Sequence, residues 1–253
     1  WILIIMRTCI IIPARYRSTR FPGKPLVKII DKPMIIWVCE LSARAVGKSN
    51  VYVATEDHGI EKVVKKFGFN VILTSKDALT GTDRLAEASK HLEYDIYINV
   101  QGDEPLVHPE DIIKIRDAKI SNMELVINGF NWISNSENPE SLNIPKLITN
   151  ENDELVYMSR RALPGFKDKK LKPNNYKKQV CIYAFTKEEL KVYNDFGRKS
   201  ELEKSEDIEI IRFFELNKKI LMVETNSFSI SVDVPEDIPK VENALKKTLS
   251  LKG

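Results

Sequence analysis

Three arginines and a lysine, Arg15, Arg17, Arg20 and Lys24, crowd the stretch PARYRSTRFPGKPL between Pro13 and Leu26, directly after the apolar run CIII. Guanidinium groups grip phosphate oxygens in bidentate pairs, and a lysine adds a point charge. With Gly23 allowing a tight turn, Arg15, Arg20 and Lys24 can surround a triphosphate. The same charges also fit a solvated surface loop, and spacing alone leaves both readings open. The stretch is not the nucleotide loop G-x-x-x-x-G-K-[ST], because it carries one glycine and no hydroxyl follows Lys24.

Carboxylates supply a second kind of chemistry. In NVQGDEP, Asp103 stands just beyond an apolar run and a Gly turn, a place suited to Mg²⁺, which takes one or two carboxylates together with phosphate oxygens and water. A turn residue capping a helix that begins near Pro109 fits equally well. Asp233, in SISVDVPED, closes another β-alternating run, and two strand-end carboxylates can converge on one ion from opposite ends of the chain. Cations for a polyphosphate, carboxylates for a metal and a sheet end to hold both point to nucleotidyl transfer.

The elements that must position these groups follow from periodicity. TCIIIP, NVYVATED, NVILTS and DIYINVQ read as strands. Between them PMIIWVCELSARAVG, GIEKVVKKFG and TDRLAEASKHL read as helices. Near-continuous β-branched runs fit strands covered on both faces, so the fold class is α/β, a mostly parallel Rossmann-like sheet with helices on either side. Ligands in such sheets bind at the carboxyl ends of the strands. From about Ser121 the alternation weakens into short strands, ELVINGF, PKLITN, ELVYMSR and QVCIYAF, divided by polar connections that include the basic loop LPGFKDKKLKPNNYKK. The expectation is one nucleotidyltransferase domain over 1–253, with a smaller antiparallel inserted lobe within about 121–215. A helix through ELEKSEDIEIIRFFELN, a strand KILMVE and a closing helix from Pro235 to about Leu249 complete the chain.

A chain of 253 residues with a formal charge of +3 can bury a sizeable core and carries too little net charge for nucleic acid to be its main partner. Cys9, Cys39 and Cys181 are widely spaced inside apolar runs, which suits reduced core residues and a cytoplasmic protein. The opening WILIIMRTCIII lacks a basic leader and a cleavage site, is interrupted by Arg7 and is too short to span a bilayer; Met6 is a candidate natural start. No membrane partner is expected.

In this order and at these separations, IIPARYRSTRFPGKPL, GTDRLAEA, NVQGDEP and VDVPEDI closely resemble the 3-deoxy-manno-octulosonate cytidylyltransferases, the CMP-Kdo synthetases, over Ile10 to about Val241. The related CMP-sialate synthetases usually carry Gly-Gly-Ser-Lys in the first loop, which RYRSTR is not. The resemblance implies a nucleotide-diphospho-sugar transferase fold, CTP and a sugar acid as substrates, Mg²⁺ as cofactor and a homodimer built through the lobe, where CIYAF and the helix over Glu201 to Asn217 would lie. It implies that Arg15, Ser18, Arg20 and Lys24 bind the CTP phosphates and that Thr80, Gly81, Thr82 and Arg84 lie near the cytidine. Gln101 would face both substrates, and Asp103 and Asp233 would hold the metal. Arg15, Arg20, Lys24 and Asp103 become the catalytic set. Arg160, with Gln179, Tyr183 and Glu209, would meet the sugar acid; Lys146 and Ser159 match the family pattern around Arg160, though both fit a structural role as well.

Departures cluster on the acceptor side. The family usually has His-x-Gly-x-Tyr where this chain has Gln179 to Tyr183, and Leu-Glu-Gln-Leu-Arg where it has Ile208 to Arg212, so a sugar-facing histidine becomes Gln179 and a sugar-facing glutamine becomes Ile210. Polar recognition discriminates more sharply than apolar contact, so the expected acceptor is a relative of Kdo differing in a substituent. The implied chemistry is attack of an anomeric hydroxyl on the α-phosphorus of CTP with loss of pyrophosphate, and it requires no histidine. His58, His91 and His108 fall outside the matched motifs and read as solvent-facing. Other acids, such as a nonulosonic acid or a phosphonate, and a non-catalytic nucleotide-binding subunit are the rival readings.

Overall fold

The computed structural model describes residues 6–18, 21–135, 137–226 and 230–250. In chain order it contains β1 (Thr8–Ala14), β2 (Lys28–Ile29), β3 (Lys32–Pro33), α1 (Met34–Val46), β4 (Val51–Thr55), α2 (His58–Lys66), β5 (Asn70–Leu73), α3 (Gly81–Ser89) and β6 (Ile96–Val100). There follow α4 (Pro109–Ser121), β7 (Val126–Trp132), β8 (Lys146–Thr149), β9 (Leu155–Ser159), β10 (Lys177–Phe185), α5 (Lys187–Asp195), α6 (Glu201–Glu206), α7 (Ile211–Glu215), β11 (Ile220–Glu224) and α8 (Ile238–Ser250).

The main sheet runs β11-β7-β10-β6-β1-β4-β5. Its pairs are parallel except those that β10 makes with β6 and β7. Alternation along β1 explains why helices cover both faces. Cys9 and Ile11 pack with α3 and α5, whereas Ile10 and Ile12 pack with α1, α2 and α4. The chain leaves β1 toward β4 and β5, then returns to the other flank at β6. That reversal opens a crevice beyond Ala14 and Val100, the place where such sheets take ligands.

The late strands divide between the main sheet and a smaller antiparallel excursion. β7 and β10 lie inside the main sheet, and only β8 and β9 leave its path, by pairing from the start of β10. CIYAF is part of the internal strand β10, with Ile182, Tyr183, Ala184 and Phe185 buried and Cys181 partly exposed on the cleft. The helix expected through Glu201 to Asn217 is broken at Asp207, whose left-handed backbone (φ 49°) ends α6 before α7 begins. Helix α5 passed unnoticed, although Thr186 and Glu189 form a capping box at its start. The run around Ile230 to Val234 is not a strand. Val232 is instead anchored by packing against Met34, Trp37 and Val241 and by its N–H, which donates to the Asp103 carbonyl at 3.0 Å.

Behind the sheet, fully buried Lys119 at the end of α4 donates to both carboxylate oxygens of Glu189 at 2.8 and 2.9 Å and to the carbonyls of Met123 and Leu125. Burial lowers the Lys119 pKa, opposed by Glu189. Breaking a buried ion pair by removing one partner costs about 3–5 kcal/mol, because the other charge is left unpaired. Lys119→Met should therefore lower the unfolding free energy by an amount in that range, read from urea denaturation; a loss below about 1 kcal/mol would show that this pair does not hold α4 to α5.

Candidate active site

The crevice beyond β1 and β6 holds a cleft of about 740 Å³. Arg15, Ser18, Lys24, Thr80, Gly81, Arg84, Gln101, Asp103, Arg160, Gln179, Tyr183, Glu209 and Asp233 all line it. Arg20 lies outside the described residues. A larger hollow, about 940 Å³, opens at the opposite end of β1 among Arg7, Tyr52 and Arg116. Size does not make it the site, since it brings together no phosphate-competent loop and no pair of strand-end acids.

On one wall the loop after β1 is folded back on itself. The N–H of Gly23, at φ 70°, donates to the Tyr16 carbonyl, and the Tyr16 N–H donates to Glu56. Glu56 in turn pairs with Arg84 at 2.9 Å, and Arg84 also donates to Thr74 and Ser75. Burial lowers the Arg84 pKa, with Glu56 opposing. Arg84 thus tethers the loop to β4 and α3, while Arg15 remains exposed.

Asp103 is brought to this wall by a close approach. A side chain at Gly102 would place its Cβ 2.9 Å from the Pro13 carbonyl, so the turn after β6 presses directly on β1. The Lys24 ammonium then donates to the Asp103 carboxylate at 2.7 Å and to the Val232 carbonyl at 2.8 Å. Asp233, next in the chain, borders the same cleft, its N–H donating to Asp237. Asp103 caps no helix; the residue before α4 is His108.

Among the described residues no group of three His, Cys, Asp or Glu side chains is placed to hold a metal. Two carboxylates at a cleft edge suit a hard cation that draws its other ligands from phosphate and water, and they do not suit a soft metal needing sulfur or imidazole.

The opposite wall is built from β10 and the segment between α6 and α7. Register shifts between Val180 and Tyr183 where β10 pairs with β7, a bulge that re-aims the strand. Asn128, on β7, satisfies the bulge by donating to the Val180 and Ile182 carbonyls, and Gln179 donates to Asn128 and to the Tyr183 hydroxyl. Burial pushes the Tyr183 phenol well above its ordinary value, so it is a neutral hydrogen-bonding group. Glu209 sits in the break between α6 and α7, accepting from the Gln101 amide at 2.7 Å and from the Thr82 N–H at 3.0 Å.

Behind Glu209 a buried guanidinium holds the wall. Arg212, with no exposed surface, donates to both oxygens of Asp83 and both of Glu203 and lies 3.8 Å over the Tyr193 ring. Burial alone would lower its pKa, but the Glu203 and Asp83 carboxylates outweigh that and raise it.

Other expectations change. Ile210 is fully buried in the core and does not face the cleft; Ile208 lines it. Lys146 and Ser159 do not border the cleft: Lys146 donates to the Ser141 and Arg160 carbonyls, and the Ser159 hydroxyl accepts from the Arg161 N–H. Arg160 reaches the rim, with its guanidinium donating to the Leu142, Glu206 and Asp207 carbonyls. Thr82 is buried and contributes its backbone N–H. His58, His91 and His108 are exposed. Sequence reasoning missed Asn143, Lys199 and Glu104, which also line the cleft. Glu104 adjoins Asp103 and could have been found there, but nothing in the local pattern marks Asn143 or Lys199.

The family model described as cytidylyltransferase matches residues 9–220. The chain belongs to the cytidylyltransferase family. As a member, it is a CTP-dependent nucleotidyltransferase. An 8-amino-3,8-dideoxy-manno-octulosonate cytidylyltransferase from Shewanella baltica strain OS195 is 37% identical over 248 residues, covering 95% of this chain and 99% of that protein. One of the same description from Shewanella sp. strain W3-18-1 is 38% identical with the same coverage. The solved CMP:2-keto-3-deoxy-manno-octonic acid synthetase complexed with CTP superposes with a TM-score of 0.88 at 34% identity, covering 96% of this chain and 99% of that one. At 13% identity, 4-diphosphocytidyl-2C-methyl-D-erythritol synthase from Anaerococcus prevotii shares the fold, with a TM-score of 0.63 over 95% and 99% of the two chains. Among the described residues no helix is long and apolar enough to cross a membrane.

Glu209 gives the family member a measurable pH signature. Burial raises its pKa. An acid raised by folding stabilises the fold below its unfolded value, and that contribution disappears as pH rises through the folded value. The stability of the parent relative to Glu209→Gln should therefore fall as pH rises above the ordinary glutamate value, about pH 4, measured by urea denaturation at each pH. Parallel curves would mean that folding does not desolvate this carboxylate.

Proposed function

We propose that the protein transfers CMP from CTP to a 3-deoxy-manno-octulosonate-type acid, the 8-amino-3,8-dideoxy acid included, releasing pyrophosphate. The observation that carries the proposal is the meeting of Lys24 with Asp103, beside Asp233, at the sheet end where the arginine loop begins. The relatives' shared acceptor name and near-complete coverage support the choice of acid.

In this reading Arg15, Ser18, Arg20 and Lys24 take the phosphates of CTP, and Arg84 holds their loop through Glu56. Thr80, Gly81 and Thr82 border the cytidine, with Gln101 between nucleotide and acceptor. Gln179, Tyr183 and Glu209 contact the sugar acid, and Arg160 borders its carboxylate from the rim. These groups align the anomeric hydroxyl with the α-phosphorus and stabilise charge moving onto pyrophosphate, as positioning and preorganised charge do in phosphoryl-type transfer. Asp103 and Asp233 would hold Mg²⁺, which when bound neutralises phosphate charge and acidifies the attacking hydroxyl.

The segment 121–215 serves, in the same proposal, as the acceptor-side part of a single unit. A homodimer draws support from Trp132 on β7 and Val156 on β9, large apolar side chains left exposed beside the excursion. Three free cysteines, two of them buried, suit a reducing compartment such as the cytoplasm.

Pyrophosphate release should require CTP and an octulosonate acid, should fail with ATP, GTP or UTP, and should stop when divalent metal is chelated. Asp103→Ala should lower kcat at least about a hundredfold, roughly 2.7 kcal/mol of barrier; a variant within about threefold of the parent would remove Asp103 from its role. Charge-assisted hydrogen bonds contribute roughly 1.5–3 kcal/mol, so Lys24→Gln should weaken CTP binding at least about tenfold, measured by calorimetry without acceptor.

A further inference from the structure

The basic loop between β9 and β10 takes no part in lining the cleft. From Pro164 to Asn175 it holds four lysines, Lys167, Lys169, Lys170 and Lys172, against one acid, Asp168. That net charge of +3 equals the formal charge of the whole chain. Every residue from Pro164 to Lys172 is exposed, and a Cβ added at Gly165 would meet nothing within 4 Å, so this stretch stands clear of the fold.

Its charges are unanswered. Lys177 and Lys178, just past the loop, are paired with Asp153 and Glu137, whereas the four loop lysines make no ion pair among the described residues. Asp168 is turned to its own backbone: its carboxylate accepts from the Lys170 N–H at 2.9 Å and caps the short turn Lys169–Leu171. At the end of that turn Leu171 is 70% exposed, more than any other large apolar side chain among the described residues. Phe166, on the other side of the cap, is also exposed.

Single exposed apolar side chains are ordinary. Two of them set among four unpaired ammonium groups make a surface that a neutral partner cannot cover without stranding charge. The complementary partner is anionic and also takes up apolar groups. Protein interfaces favour arginine and aromatic anchors and are poor in lysine, and this loop has no arginine. Nucleic acid would answer the lysines through its phosphates but would give Leu171 nothing to contact. An anionic bilayer answers both, with lysines at the headgroups and Phe and Leu side chains at the acyl boundary.

We infer that this loop docks the protein on an anionic lipid surface, Phe166 and Leu171 entering the interface and the four lysines meeting the headgroups. The contact is peripheral and needs no spanning helix. The expectation of no membrane partner rested on the opening segment and does not reach this loop. Arg160, on the cleft rim, lies so few residues before Pro164 that chain length alone keeps the two within about 14 Å. Docking therefore brings that rim close to the bilayer, whichever acid the cleft accepts.

The test is cosedimentation of the full chain, at low ionic strength, with vesicles of phosphatidylglycerol and phosphatidylcholine and with vesicles of phosphatidylcholine alone. The parent should bind the anionic vesicles at least about tenfold more tightly; equal binding overturns the proposal. The pair Lys169→Glu and Lys170→Glu should lower that binding at least about tenfold, and Leu171→Ser at least about fivefold, with pyrophosphate release from CTP unchanged in both. Variants that bind like the parent would assign the contact to another surface and sink the proposal. Charge reversal that abolishes binding while Leu171→Ser leaves it intact, with duplex RNA bound as tightly as the vesicles, would make the loop a polyanion site and overturn the assignment to lipid. A dimer that Leu171→Ser converts to monomer in sedimentation velocity would make the loop a contact between copies, which equally overturns it.

Discussion

Arg212 carries the cleft wall opposite the arginine loop. One guanidinium, shut away from solvent, spans Asp83 in the first turn of α3 and Glu203 in α6. Two carboxylates and one cation buried together leave net negative charge, and such an arrangement persists only when each oxygen is hydrogen-bonded in good geometry. That requirement fixes α3, α6 and α7 relative to one another. Glu209 and the Tyr193 hydroxyl that donates to its carbonyl take their places from it. The wall that carries Glu209 is therefore positioned by a buried set of charges, of which Glu203 alone borders the cleft.

The facing wall is positioned by backbone. Gly102 lets the turn after β6 press on Pro13, and the Val232 N–H binds the Asp103 carbonyl, so the first, middle and last parts of the chain meet at one point. Hydrophobic packing of Val232 against α1 and α8 does for Asp233 what a strand was expected to do. The carboxylate arrives at the cleft in either case. A core residue one position earlier in the chain can anchor an acid as firmly as a ladder of hydrogen bonds.

How much of this was legible in the sequence depends on the range of the interaction. Strand β1, the alternation through β6 and the capped helix α3 follow from local periodicity and turn residues, and so do the loops that end at the cleft. The position of β10 was not legible, because an internal antiparallel strand and a peripheral one have the same apolar run; only the long-range pairing with Val100 and Phe130 separates them. Asp207 broke a helix that composition favoured, since its left-handed backbone answers to tertiary contacts with Arg160 and Lys199. The same break places Glu209 in the cleft and sends Ile210 into the core, opposite destinations for neighbouring residues that a continuous helix would not have predicted. Arg160, Lys146 and Ser159 were found by motif, but motif does not say which donors face a ligand and which are spent on carbonyls.

Strand β10 outruns its neighbour. Ile182 pairs with Val100, the last residue of β6, so Gln179 and Cys181 overhang the sheet edge with the cleft before them. The Gln179 backbone is paired with Phe130 of β7, and Cys181 lies in the bulge that follows. A substitution on this overhang reshapes one end of the cleft while the contacts that hold the other wall, Lys24 with Asp103 and the turn at Gly102 against Pro13, stay in place.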